Sequence, residues 1–177
     1  MTDRYPKRES YVGEICFEVR DWNVDHPLYE GRQVIQHAHF NVRKGEIIGF
    51  AGLMGSGRTE LAMSVFGKAY GKNITGQIFK DGKEIELRNV ADAIRKGVMY
   101  LTEDRKGAGL NAIDDIRHNI TIANLQNISN NNVINHNEEI KVAEDYRDKL
   151  AIRSTGIWQI AGTLSGGNQQ KVMLSRG

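Results

Sequence analysis

Three glycines followed by a cation and a hydroxyl are the residues of this chain best placed to do chemistry. The run Gly52-Leu-Met-Gly-Ser-Gly-Arg-Thr59 fits the phosphate-loop pattern G-x-x-x-x-G-K-[ST] at every fixed position but one. Gly52, Gly55, Ser56 and Gly57 supply backbone that can turn its N–H groups toward an anion, and Thr59 supplies a hydroxyl for Mg²⁺. Arg58 stands in the lysine position. It keeps the positive charge, but its planar fork is not the compact point charge that fits between β- and γ-phosphates. Glu60 suits a bare helix dipole and opposes a nearby phosphate. The same residues also describe a glycine-rich strand-to-helix turn that binds nothing. The dinucleotide pattern G-x-G-x-x-G fails, because Glu60 occupies its third glycine position.

A second motif lies near the other end: Thr163-Leu-Ser-Gly-Gly-Asn-Gln-Gln-Lys171. Here Ser165-Gly166-Gly167 opens a helix whose first N–H groups again face outward toward an anion. The bland alternative is a serine cap before an ordinary helix. With both stretches in this order, the chain resembles the ATP-binding-cassette family, whose signature is Leu-Ser-Gly-Gly-Gln followed by a helix. Leu164, Ser165, Gly166, Gly167 and Asn168 occupy that signature, with Asn168 in the glutamine position but still an amide. The narrower resemblance rests on Gly57-Arg-Thr-Glu60, Thr102-Glu-Asp-Arg-Lys106 and the Leu-Ser-Gly-Gly-Asn-Gln-Gln-Lys run. Together they are similar to the C-terminal half of the double-cassette ATPases of bacterial monosaccharide importers, of the ribose, galactose and xylose type.

That resemblance implies ATP and Mg²⁺ as ligands, with the signature used in trans on ATP held by a facing cassette. Tyr29, sixteen residues before Gly45, matches an aromatic that stacks on adenine in the family; it equally suits a loop tyrosine covering a strand edge. Trp22 is the alternative stacker, though a core anchor suits it better. Glu103 takes the place of a glutamine that reaches the Mg²⁺/γ-phosphate region; the alternative is a solvated acidic turn paired with Arg105 or Lys106. The family's Asp-Glu pair and catalytic histidine follow the signature helix, and no Glu or His in 1–177 occupies an equivalent context. No catalytic residue is therefore expected within 1–177, and the chain alone is expected not to turn over ATP. The implied partners are an N-terminal cassette of the same polypeptide, membrane permease subunits and, indirectly, a periplasmic sugar-binding protein. The implied location is the cytoplasmic face of the bacterial inner membrane. A non-hydrolysing regulatory or scaffold module is the competing reading, favoured locally by Arg58, Glu60 and Glu103.

The elements that must hold these residues are legible from periodicity. Residues 1–13 are polar, as in a linker from a preceding cassette, and 14–177 form a partial nucleotide-binding domain with a helical subdomain over about 114–170. The fold class is α/β, of the P-loop NTPase type, with an antiparallel β-subdomain and an inserted helical subdomain, incomplete at the C-terminus. Ile15, Phe17 and Val19 alternate in a strand ending near Trp22, and 21–31 is a loop containing Pro27. Val34–Val42 is its antiparallel neighbour. Ile47–Ala51 and Val98–Leu101 read as buried parallel strands, unpaired within this chain. A helix after the loop carries Leu61, Val65 and Phe66 on one face and stops at Gly67.

Further along, Gly76–Ile85 reads as a hairpin about Asp81-Gly82, and Asn89 caps a helix through Lys96 that stops at Gly97. Asp115 caps a helix from Ile116 to about Leu125, 124–137 is an asparagine-rich loop, and Glu138–Leu150 is an amphipathic helix. Composition sets outer limits. With 24 basic and 22 acidic residues, the net charge of +2 gives no case for nucleic acid. Cys16 is alone, so no internal disulfide is possible, and the five histidines show no metal-ligand spacing. No apolar run approaches a membrane span.

Overall fold

The structure, a computed structural model, describes residues 11–176; residues 1–10 of the expected linker, and Gly177, lie outside it. The chain forms two compact units, residues 1–100 and 101–177.

In the first unit β1 (Ile15–Asp25) pairs antiparallel with β2 (Gln33–Arg43) on one side and β3 (Lys72–Lys80) on the other, and β4 (Lys83–Ile85) completes the order β2-β1-β3-β4. β1 runs past Trp22, where the sequence suggested a loop. A register shift between Val19 and Trp22, with Asp21 at φ +49°, inserts an extra residue. The bulge changes the inward parity from Val19 to Trp22 and Val24, all three buried, so the strand continues to serve the core beyond it. The β3–β4 turn has positive φ at both Asp81 and Gly82, which is the geometry that a two-residue hairpin twist demands.

α1 (Arg58–Val65) buries Ser64 and Val65 and ends at Gly67, whose φ is +64°. Trp22 is an anchor: it is buried, and its Nε1–H donates to Ser64 Oγ at 3.0 Å. α2 (Val90–Arg95) begins as its cap predicts, with Asn89 Oδ1 accepting from Asp92 N. The expected parallel strands at 47–51 and 98–101 do not form. Ile47 is 97% exposed, and Met99 and Leu101 are also exposed. A strand is stabilised by its ladder, and neither segment pairs with a neighbour among the described residues, so a continuous apolar run does not suffice.

The second unit is helical. A π-helical turn (Arg105–Gly109) precedes α3 (Ile116–Thr121), which Asp115 caps by accepting from His118 N. α3 is shorter than its apolar spacing suggested. It tightens into a 3₁₀ segment, Ile122–Ile128, broken at Asn124. The expected asparagine loop holds a miniature hairpin, β5 (Ser129–Asn130) and β6 (Val133–Ile134), turning on Asn131 and Asn132 at positive φ. Asparagine tolerates that region better than most residues, so the composition that looked like loop encodes a turn. α4 (His136–Lys149) starts under the Asn135 cap, and α5 (Gly166–Leu174) closes the unit. The core is built from Ile116, Ile120, Ala143, Ile157, Ala161 and Val172. Through it runs one buried ion pair, Arg117 Nη1 to Glu139 Oε2 at 2.7 Å, which ties α3 to α4.

Candidate functional site

The candidate residues divide between the units: the glycine loop and Tyr29 belong to the first, Glu103 and the Leu164–Asn168 run to the second.

In the first unit Gly57 is the N-cap of α1 at φ +83°, a conformation that spares glycine a Cβ clash. A Cβ there would also stand 3.0 Å from Ile35 Cδ1, so the loop is pressed against the start of β2. Ser56 N donates to Leu53 O at 3.1 Å and closes the loop. The amides of Gly55, Gly57, Arg58 and Thr59 donate to nothing among the described residues, and the loop is exposed apart from Gly57. These unpaired amides lie in the loop and first turn at the start of α1, the end of a helix that favours an anion.

Arg58 and the Thr59 hydroxyl are likewise without partners among the described residues. The Arg58 stem lines an apolar cavity of about 190 Å³ with Phe40, Phe50, Leu61 and Tyr100. Glu60 lies in the first turn, as the sequence indicated. Tyr29 is 60% exposed, its ring 4.6 Å from the His26 ring and with the Arg32 guanidinium 5.9 Å from its centroid.

In the second unit Leu164 is a buried anchor, while Ser165, Gly166 and Gly167 are exposed. Ser165 is the N-cap of α5 but makes no side-chain cap bond. Its Oγ instead accepts from Asn168 Nδ2 at 3.0 Å, and Asn168 Oδ1 accepts from Arg153 N at 3.0 Å. The backbone N–H of Arg153 thus orients the amide, and the amide in turn holds the serine hydroxyl with its own hydrogen free to point outward. The amides of Gly166, Gly167 and Asn168 have no acceptor among the described residues. Farther along the helix, Lys171 Nζ donates to Ala151 O at 2.8 Å and Gln169 Nε2 to Gly162 O at 3.3 Å, bracing α5 on both sides.

Glu103 is exposed and makes no ion pair among the described residues, so the alternative reading's pairing with Arg105 or Lys106 does not form. Asp114, Asp115 and His118 bring three ligand-type atoms within 4.8 Å, a grouping the sequence reading missed. Those atoms are already committed: Asp115 caps α3, and His118 Nδ1 lies 2.8 Å from Asp114 Oδ1. The hydrogen bond from His118 holds the Asp114 carboxyl below the usual carboxylate range.

Residues 35–177 match the family described as ABC transporter. The chain belongs to that family. Among curated relatives, this cassette is 51% identical over 176 residues to the L-arabinose transport ATP-binding protein AraG of Geobacillus stearothermophilus, covering 99% of the chain and 34% of the relative. It is 44% identical over 177 residues to the xylose import ATP-binding protein XylG of Thermoanaerobacter pseudethanolicus (99% and 35%). It is 38% identical over 174 residues to the ribose import ATP-binding protein RbsA of Bacillus cereus (98% and 33%). The chain therefore spans about a third of the length of the curated relatives it matches. Among solved structures, a bacterial Atm1-family ABC exporter with ATP bound superposes with a TM-score of 0.60 at 22% identity, over 94% of this chain and 28% of that one. That likeness supports the ABC ATPase fold. No helix among the described residues is long and apolar enough to cross a membrane.

What the sequence reading of this cassette missed is the bracing. Asn168 acts through Arg153, fifteen residues earlier, and that pairing leaves no local mark in the sequence.

Proposed function

We propose that this chain is the second-cassette portion of the ATP-binding subunit of a monosaccharide importer, coupling ATP binding and hydrolysis to sugar uptake. The observation that carries the reading is the presence, in one cassette of the ABC transporter family, of two helix starts with unpaired amides: Gly57–Thr59 and Ser165–Gly167. The names of the relatives, which describe transport or import of arabinose, xylose and ribose, suggest the substrate class.

ATP fits the residues of the first unit. The four orphan amides and the Arg58 guanidinium would hold its phosphates, Tyr29 offers a face to adenine, and the Thr59 hydroxyl would be one ligand of Mg²⁺. Glu60 and the fork of Arg58 weaken that site. The Ser165–Gly167 edge would close on ATP held by the N-terminal cassette of the same polypeptide. Residues 1–13 then serve as the linker between the cassettes, and 14–177 as nucleotide-binding domain with its helical subdomain. Glu103 would face the Mg²⁺/γ-phosphate region. Permease subunits would place the assembly at the cytoplasmic face of the inner membrane, with a periplasmic sugar-binding protein acting through them. On this reading hydrolysis belongs to the assembly, because the described residues offer neither a positioned base nor a complete metal clamp.

The competing reading, a non-hydrolysing regulatory module, draws on the same Arg58 and Glu60. Two measurements on the full-length protein reconstituted with its permease separate the readings: Mg²⁺-ATP hydrolysis, and its response to binding protein loaded with L-arabinose, D-xylose or D-ribose. Stimulation by one of these pentoses is the expected result. A full-length assembly that binds ATP but hydrolyses none with any sugar would favour the regulatory module.

A further inference from the structure

Arg105 stands at the wrong end of a helix. Its Nη1 lies 2.6 Å from where a Cβ on Gly166 would be, at the first residue of α5. This is the positive end of the helix, where the amides of Gly166, Gly167 and Asn168 are also unpaired. A guanidinium here adds like polarity to like, and cations are favoured at the opposite terminus. Nevertheless Arg105 makes no ion pair or hydrogen bond among the described residues.

Nor is the side chain there by chance swing. Asp104 builds the turn that presents it: its Oδ1 accepts from Gly107 N at 2.9 Å and its carbonyl from Gly109 N at 2.9 Å. The turn is pressed onto α5, because a Cβ on Gly109 would stand 2.4 Å from Cε of the buried Met173. With its own carboxylate committed to that turn, Asp104 does not neutralise its neighbour. Gly166 leaves room for the guanidinium, whereas a Cβ on Gly167 would meet no other part of the described chain beyond its own helix and neighbours. The result is a concentration of positive character: three free amides, an outward serine hydroxyl and one unpaired cation.

We propose that Arg105 is a phosphate-binding residue of this edge, donating to the terminal phosphate oxygens of the nucleotide that the facing cassette presents to Ser165–Gly167. The proposal rests on the reading that this edge closes on ATP. A guanidinium offers two parallel N–H donors to a phosphate, and a water-poor site strengthens the pair. The anion it would meet resolves the misplaced charge.

The test uses the full-length protein assembled with its permease and measures sugar-stimulated hydrolysis across ATP concentrations. Arg105→Met keeps the length and removes the charge; Arg105→Lys keeps the charge. Arg105→Met should raise KM for ATP or lower kcat about tenfold with little change in melting temperature, and Arg105→Lys should recover about threefold or more of that loss. Either of two results overturns the proposal: Arg105→Met within about twofold of the parent in both constants, or Arg105→Lys no better than Arg105→Met. Should Arg105→Met fail to fold, Arg105→Lys decides by itself: retained charge predicts activity within about threefold of the parent, and a larger loss overturns the proposal. Gly167→Asp is the control on the parent reading. If it leaves hydrolysis intact, the edge does not meet ATP at all; if it abolishes hydrolysis while Arg105→Met does not, only the role of Arg105 falls.

Discussion

The two helix starts offer an anion the same backbone donors but are held in different ways. At α1 the cradle is made from the backbone, with Gly55 and Gly57 at positive φ and an exposed loop around them. Its charged residues, Arg58 and Glu60, oppose each other across one turn. At α5 Gly166 and Gly167 have negative φ, and the edge is set by side chains: Asn168 between Arg153 and Ser165, Lys171 on Ala151, Gln169 on Gly162. A cradle braced by its surroundings loses less freedom on binding than one that must order itself. The α5 edge is thus the better prepared of the two, although the α1 loop is the one that matches the better-known motif.

The largest effect should come from breaking the better-prepared edge. Gly167→Asp places a carboxylate among the free amides of α5, and in the assembled full-length protein sugar-stimulated hydrolysis should fall about a hundredfold or more. Thr59→Ala, at the less-prepared edge, should leave hydrolysis within about threefold of the parent. If the two results were reversed, the α1 loop would be the working site.

A medium effect should come from mending the weaker edge. Arg58→Lys with Glu60→Thr restores a compact cation and removes a carboxylate close to the phosphate. ATP titration of the full-length double variant should show about tenfold tighter binding at this loop, since a like charge removed at short range is worth on the order of 1 kcal/mol or more. Unchanged affinity would mean that the loop has been reshaped for something other than a nucleotide.

The smallest effect concerns the frames behind the edges. Arg95 and Arg88 hold the Asp92 carboxyl below its ordinary range in the first unit, and His118 does the same to Asp114 in the second. A carboxylate whose pKa is depressed on folding contributes stability above its unfolded value of about 3.9, and that contribution is lost as pH falls through the folded value. Melting temperature should therefore be flat with respect to these groups from neutrality to about pH 5 and fall below about pH 4. In the double variant Asp92→Asn with Asp114→Asn the acid slope should be shallower, with a lower plateau at pH 7. A parallel slope would assign the acid response to other groups.

Which parts of the molecule could be read from the sequence follows from the range of the interactions involved. The Asp81-Gly82 turn, the Asn89 and Asp115 caps and the stop at Gly67 are settled within four residues, and they form as expected. The runs 47–51 and 98–101 have the composition of buried strands, but a strand also needs a partner, and none pairs with them among the described residues. The extension of β1 through its bulge depended on two neighbouring strands and an extra residue at Asp21. In the candidate site, the residue types at 52–59 and 164–168 were visible, while the tie from Asn168 to Arg153 and the seat of Arg105 beside Gly166 needed the tertiary fold. The buried Arg117–Glu139 pair was equally silent, because two charged residues on separate helices look like solvated faces.

The amide of Asn168 also governs the direction of one hydrogen atom. Because Arg153 N–H claims the amide oxygen, the amide nitrogen must face Ser165 and can only give a hydrogen, never take one. The hydroxyl's own hydrogen is therefore turned outward, toward whatever approaches the start of α5. An aspartate at 168 would accept from both neighbours and draw that hydrogen inward, leaving an oxygen lone pair where a donor had been. The choice between two nearly isosteric side chains is thus a choice of polarity at a single surface atom, made by a backbone N–H fifteen residues away.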